Sequence, residues 1–483
     1  MTCIASIGLE VHVQLKTRSK MFCGCPVEFG AAPNEHTCPI CLGLPGALPV
    51  MNHDALRMTV LTGLILNCDI PAVSKFDRKN YFYPDVAKNY QITQYDQPLC
   101  VNGAVPLHDL AYPKDAQKNI APTEKKVSLV RIHLEEDVAK SFHFESSTGI
   151  DFNRAGTPLM ELVTQPEIAS PEEAFAFLTA LKQILIYGGV SDADMEKGQL
   201  RCDCNVSVRP NDQSELGAKI EIKNMNSISG VRRALGFEIE RQTAALARGE
   251  PLRQETRGWD DSLGETFVMR TKEFAHDYRY FPDPDLVPIK TARLVEDARA
   301  RLPELPGAKR TRFIEQYQVS AYDAGVLAND LELARYFEAA ARVAQKPKNV
   351  ANWILNDLQN ALTSSGRVIA DCPIPPQALD ELVRLIDDGK ISSKQGKEVF
   401  AEMFASGKSA SSIAQEKGIS QLSDVAQLEE ICAQVIAANP KPASDFRAGN
   451  AASLNFLKGQ VMKLSKGQAN PQLAGEILER KLK

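Results

Sequence analysis

In the stretch Ile7-Gly8-Leu9-Glu10-Val11-His12-Val13-Gln14, apolar and polar residues alternate. This predicts a strand with Leu9, Val11 and Val13 on one face and Glu10, His12 and Gln14 on the other. A carboxylate and an imidazole then point the same way, which suits a cation site and equally suits the solvated side of an antiparallel strand. Val130 to Asp137 alternates again, setting Arg131, His133 and Glu135 against Val130, Ile132, Leu134 and Glu136. By that parity Glu136 ends an apolar face, where a carboxylate is costly unless it is paired or bound to a cation. Glu161, inside the run Asn153-Arg154-Ala155-Gly156-Thr157-Pro158-Leu159-Met160-Glu161, adds another carboxylate.

A second chemistry is carried by Cys23-Gly24-Cys25 and Cys38-Pro39-Ile40-Cys41, two close thiol pairs separated by twelve residues. Two such knuckles make a tetrahedral zinc site, closed and structural because four thiolates leave no open position. Four unliganded thiols are the alternative; a redox pair would need a βαβ setting that is missing around it.

Leu200 to Arg209 also alternates, with Arg201, Asp203, Asn205, Ser207 and Arg209 on one face, and Lys219, Glu221 and Lys223 repeat the arrangement. Rows of charge in both signs suit the floor of a wide polar cleft. Arginine is the natural fork for phosphate or carboxylate, and Arg257 lies in Glu255-Thr256-Arg257-Gly258-Trp259-Asp260. Arg201, Asp203 and Arg257 are thus candidate contacts to an anionic cofactor, with ordinary surface ion pairing as the alternative. The runs Lys75–Asp85 and Asn89–Asp96 interleave aromatic with charged groups, a pattern fit for stacking and phosphate contacts or for a half-exposed β surface.

The elements that must position these residues follow from the rest of the chain. Its 483 residues exceed one ordinary core and predict two to four domains. A net charge of -5 excludes a uniformly basic nucleic-acid coat but not a local basic surface. No apolar run reaches the ~20 residues of a membrane helix and no signal peptide opens the chain, so the expected location is the cytoplasm or a comparable reducing compartment. All seven histidines lie between His12 and His276, which confines histidine chemistry to the N-terminal part. Prolines 282, 284 and 288 mark a domain end near residue 290, and a Gly/Ser stretch over 406–412 marks another. The expected division is 1–290, sheet-rich with a zinc insert, then 295–405 and 411–483, both helical. From Arg447 to Lys483, seven basic residues stand against two acids, a basic patch on an acidic protein. Neither a P-loop nor G-x-G-x-x-G occurs, so a nucleotide needs another cradle. Ser392-Ser393-Lys394 more plausibly opens a helix than an amidase site, and Lys463-Leu464-Ser465-Lys466 has no partner histidine motif.

In chain order, I-G-L-E-V-H-V-Q-L, K-F-D-R-K-N-Y-F-Y-P-D, H-L-E-E-D, N-R-A-G-T-P-L-M-E, R-C-D-C-N-V-S, E-T-R-G-W-D, D-Y-R-Y-F-P-D-P-D-L and the terminal K-G-Q-A-N-P resemble the GatB family of bacterial aspartyl/glutamyl-tRNA amidotransferases over the whole chain. The resemblance implies an α+β protein: an antiparallel-sheet cradle of glutamine-synthetase-like fold, then two all-α domains, the last contacting tRNA. It implies a heterotrimer in which the other members are an amidase and a small third protein. The implied reaction is ATP-dependent phosphorylation of the side-chain carboxylate of Glu-tRNA(Gln), in many organisms also Asp-tRNA(Asn), followed by amidation with ammonia that the amidase releases from glutamine. Glu10, His12, Glu136 and Glu161 match the family's Mg2+ positions, with Glu135 the neighbour that spacing does not exclude. Lys79 matches a position on its ammonia path. A free-standing carboxylate–amine ligase and a non-catalytic tRNA scaffold are the rival readings.

Overall fold

The computed structural model describes residues 3–119, 125–210, 215–271, 277–418, 425–465 and 469–482. The chain forms two units, 1–306 and 307–483.

The first unit runs β1 (Cys3–Gln14), α1 (His53–Ile65), β2 (Val73–Ser74), β3 (Asp77–Asn80), β4 (Tyr90–Thr93), β5 (Cys100–Val101), β6 (Ala104–Pro106), β7 (Lys126–Glu136), the hairpin β8 (Lys140–His143) and β9 (Thr148–Asp151), and β10 (Pro158–Thr164). There follow α2 (Pro171–Tyr187), β11 (Leu200–Pro210), β12 (Ile220–Lys223), α3 (Ile228–Ala247), β13 (Glu255–Asp260), β14 (Glu265–Thr271), β15 (Phe281–Pro282), β16 (Ile289–Lys290) and α4 (Ala292–Arg299). Among the described residues the main sheet has nine strands in the order β14-β13-β12-β11-β1-β10-β7-β5, with β6 also on β7. It is antiparallel except between β12 and β13. Smaller sheets are β15-β3-β4, β16-β2 and the β8-β9 hairpin.

β1 forms as its alternation predicts. Ile7, Leu9, Val11 and Val13 are buried and join Cys202, Cys204 and Val206 of β11, Met160 and Leu162 of β10, and Ile132 and Leu134 of β7 in one core. Helix α3 packs on β11 and α2 packs on α3, supplying Phe177, Leu181, Val231 and Leu235 to that core. Ser170 Oγ caps α2 by accepting from Glu173 N, and Pro171 takes the first turn, where its missing N–H costs nothing. Truncating a buried leucine such as Leu9 to alanine would cost about 2–5 kcal/mol. Because helices cover one face only, the alternation leaves the other face of the sheet to Glu10, His12, Glu135, Glu161, Arg201 and Asp203. At the sheet margin, β14 carries Phe267, Val268 and Met269, each about half exposed, and among the described residues only β13 pairs with it.

The second unit is helical and contains two cores, one running from Phe313 to Ile413 and one from Leu428 to Leu482. Gly407 takes a left-handed conformation, φ +71°, to close one helix, and Ser409 caps the next, Ala410–Glu416, whose Ala410 and Ile413 belong to the first of these cores. In the basic tail Arg480 pairs with Glu429, and Arg447 Nε donates to Leu482 O at 3.2 Å, while Lys466 and Lys483 lie outside the described residues. Among the described residues no helix is long and apolar enough to cross a membrane. The mixed, mainly antiparallel sheet followed by helices agrees with the α+β expectation.

Candidate metal centres

The register of three neighbouring strands lines up imidazole, carboxylate and imidazole. His12 of β1 lies opposite Glu161 of β10, and Glu161 lies opposite His133 of β7. His12 Nε2 stands 3.4 Å from Glu161 Oε2 and 3.7 Å from Glu135 Oε1, while His133 Nε2 stands 3.2 Å from the same Glu161 oxygen. One ligand atom each from His12, Glu135 and Glu161 falls within 4.8 Å of the others, close enough to share one ion. His133 Nδ1 is buried without a hydrogen-bond partner.

The three groups set one another's protonation. Burial works against a charged His12, yet the hydrogen bond and charge of Glu161, with Glu135, raise its pKa from 6.5 to about 9. Burial and the charge of Glu161 push Glu135 upward against His12, His133 and Lys79. Glu161 is held well below the usual carboxylate range: burial opposes this, but His133 and His12 prevail. Two carboxylates with an imidazole suit a hard divalent ion that keeps several waters, Mg2+ or Mn2+.

The other expected residues distribute as follows. Glu10 shares the face with His12 but accepts from Asn205 Nδ2 at 2.9 Å and is not among the converging atoms. Glu136, expected in the set, is not brought to it. It leaves β7 on the other side from Glu135, where Oε1 accepts from Lys88 Nζ at 2.6 Å and from Ile92 N at 3.0 Å. The cation required at the end of that apolar face is therefore Lys88. Arg201, paired across β1 with His12, bonds Asp137 Oδ2 at 2.8 Å, and the same oxygen accepts from Gln14 Nε2 at 3.1 Å. Asp203 lies opposite Glu10 and pairs with Lys223, which also reaches Glu221 at 3.2 Å.

Arg257 is a correction. Its register with Ile222 turns it to the helix-covered face, where it is buried against Glu238 at 3.4 Å, Glu255 at 2.7 Å and Thr266 Oγ1 at 2.7 Å. It offers nothing to the polar face. Lys79 Nζ sits over the rings of Tyr278 at 5.0 Å and Tyr81 at 5.7 Å. Sequence reasoning passed over His133 and Asp137. The parity of β7 was the available signal for His133, since it already set that residue beside Glu135.

The sulfurs of Cys23, Cys25, Cys38 and Cys41 also lie within 4.8 Å of one another. Cys38 and Cys41 Sγ are 3.8 Å apart, the spacing of two corners of a tetrahedron with Zn–S bonds of ~2.3 Å. Cys38 N donates to Cys41 Sγ at 3.0 Å. A hydrogen bond from Cys23 pulls the Cys41 thiol down to about 4, assisted by Lys20, while burial pushes Cys25 up to about 11. Lys20 is fully buried beside them, its Nζ donating to His36 O at 2.8 Å and Phe152 O at 3.1 Å. The cluster can hold a metal, and its donor set fits zinc.

The GatB/GatE catalytic domain family matches residues 5–296, and the GatB domain family matches residues 335–482. The chain is 56% identical over 481 residues to the B subunit of an aspartyl/glutamyl-tRNA(Asn/Gln) amidotransferase from Methylacidiphilum infernorum, covering 99% of each. It is 50% identical over 486 residues to the same protein of Opitutus terrae, covering 99% of each. With that of Carboxydothermus hydrogenoformans it shares 49% over 484 residues, 99% of this chain and 98% of the relative.

Proposed function

Because the chain belongs to the GatB family of aspartyl/glutamyl-tRNA(Asn/Gln) amidotransferases, we propose that it activates the side-chain carboxylate of a mischarged aminoacyl-tRNA with ATP and directs ammonia onto it. The substrate is Glu-tRNA(Gln), and Asp-tRNA(Asn) where the host makes it. A carboxylate oxygen attacks the γ-phosphorus of ATP and ADP leaves. Ammonia then attacks the acyl carbon, inorganic phosphate leaves, and the nitrogen sheds its proton to give the amide.

The carrying observation is the convergence of His12, Glu135 and Glu161. These three would hold Mg2+, whose charge neutralises the oxygens between donor and acceptor. His12 can serve only after losing its proton. Glu10 would order water around the ion from the same strand face. Arg201, fixed by Asp137, offers its remaining donors to anionic groups on the sheet. Lys79, held among tyrosines near Glu135, would face the acyl carboxylate and the incoming ammonia.

The proposal includes a cradle of glutamine-synthetase-like fold, zinc on the four cysteines, and a cytoplasmic heterotrimer completed by an amidase and a small third protein. The C-terminal basic helices would take the tRNA. The test supplies the complex with Glu-tRNA(Gln), ATP and Mg2+ and follows phosphate release. Glu135→Gln and Glu161→Gln should each abolish it while leaving the amidase's glutamine hydrolysis at least partly intact. A wild-type rate in both variants would overturn the metal assignment.

A further inference from the structure

We propose that Lys20 is the counter-charge of a zinc tetrathiolate on Cys23, Cys25, Cys38 and Cys41, slowing both loss of the ion and attack on the sulfurs; the inference rests on the zinc assignment proposed above. The side chain of Lys20 is 0% exposed. Its Nζ donates to His36 O at 2.8 Å and to Phe152 O at 3.1 Å, which uses two of the three N–H groups of an ammonium. Among the described residues no carboxylate joins these partners. A lysine is almost never fully buried without an anion, because two carbonyl dipoles do not replace the water it has lost. The surroundings must therefore supply a negative charge.

The acids of the adjoining chain are engaged elsewhere. Glu28 Oε2 stands 3.2 Å from His36 Nε2, Glu35 Oε2 accepts from Ala32 N at 3.2 Å, and Asp151 Oδ1 accepts from Asn34 N and Asn153 N, each at 2.9 Å. The cysteines remain, and Lys20 is fastened to both of their turns. Lys20 N donates to Cys25 O at 2.9 Å, and the carbonyl its ammonium holds, that of His36, lies two residues before Cys38. Gly156, at φ +82°, lets the lysine stem and Cys41 meet: a side-chain carbon on this glycine would lie 3.5 Å from Lys20 Cδ and 3.9 Å from Cys41 Cβ. After the Cys23 hydrogen bond, the ammonium is a further cause drawing the Cys41 thiol down to about 4.

Four thiolates outweigh a divalent ion by two negative charges, and Cys41 is itself buried, so the uncompensated cluster would be costly to shield from water. One ammonium halves the excess. It favours the charged cluster over the metal-free thiols, so the ion is held longer. It also lowers the energy of the sulfur lone pairs, which makes them poorer nucleophiles. The relation is reciprocal: the cluster accounts for a buried lysine that no carboxylate pairs, and the lysine steadies the cluster.

The experiment uses the full complex. Lys20→Met and Lys20→Gln both remove the charge, and the second keeps a donor for one of the two carbonyls. Zinc release to a chelating dye should become roughly tenfold faster in both, the scale of outer-shell effects on metal sites. After Co2+ replaces zinc, the sulfur-to-metal charge-transfer band should move to lower energy in both, a shift that a purely structural brace would not produce. Wild-type release with an unmoved band in both variants would overturn the counter-charge. So would wild-type behaviour of Lys20→Gln with faster release in Lys20→Met alone, which would leave Lys20 a hydrogen-bonding brace. If Lys20→Met does not fold, Lys20→Gln decides by the same two readings. Wild-type protein that takes up neither Zn2+ nor Co2+ would overturn the zinc assignment and this inference together, which separates that failure from a failure of the counter-charge alone.

Discussion

Lys88 Nζ lies 2.6 Å from Glu136 Oε1, on the side of β7 opposite the neighbouring Glu135. Both groups of the pair are largely shielded, and removing one partner of a buried pair costs about 3–5 kcal/mol. Lys88→Met should lower stability by that order in urea unfolding, and Lys88→Met with Glu136→Leu should recover most of it. Glu136→Gln should keep tRNA-dependent phosphate release. Loss of turnover in a fully folded Glu136→Gln protein would return that residue to the reaction.

The pKa of His12 sets a pH dependence for the metal. Below about 9 the ring carries a proton that a cation must displace, so log affinity for Mg2+ should climb with a slope near one as pH rises toward 9. Without metal the sign is opposite for stability. A pKa raised from 6.5 to about 9 stabilises the fold fully below 6.5, and that contribution is lost as pH rises through 9. The Tm of metal-free protein should fall across this window at fixed ionic strength, and saturating Mg2+ should reduce the fall.

Metal analysis of purified protein should find one zinc per chain. Cys25→Ser should lower that occupancy, depress Tm and speed proteolytic cutting between residues 26 and 37. Fully titratable native thiols with no zinc would contradict the assignment.

For the basic tail, the position of the cut matters. Removal from residue 411 would take the buried Ile413 out of the preceding core, whereas removal from 425 spares it. The shorter deletion should raise the KM for charged tRNA at least tenfold, flatten its salt dependence, and leave glutaminase activity unchanged.

Much of this was written in local pattern. Two-residue alternation revealed β1, β7 and β11 and even the parity of Glu136, because a strand converts sequence spacing directly into facing. The cysteine spacing announced its cluster because two tight turns each bring a close pair of thiols together, and Ser170-Pro171 announced the start of α2. What stayed hidden was set by distance along the chain. Lys88 reaches Glu136 across 48 residues from a turn with no periodicity of its own. Arg257 looked like an anion fork until the parallel pairing of β13 with β12 turned it toward Glu238, which arrives on a helix. The choice between Glu135 and Glu136 needed the partner strand β10, since only the cross-strand neighbour tells which face holds His12.

The margin of the main sheet has a practical consequence. Among the described residues β14 offers one unpaired side of its backbone together with Phe267, Val268 and Met269, and a long strand of that character templates edge-to-edge pairing between molecules. Produced without anything to cover that edge, the chain should become turbid on concentration. Met269→Lys should raise its solubility limit without changing its fold.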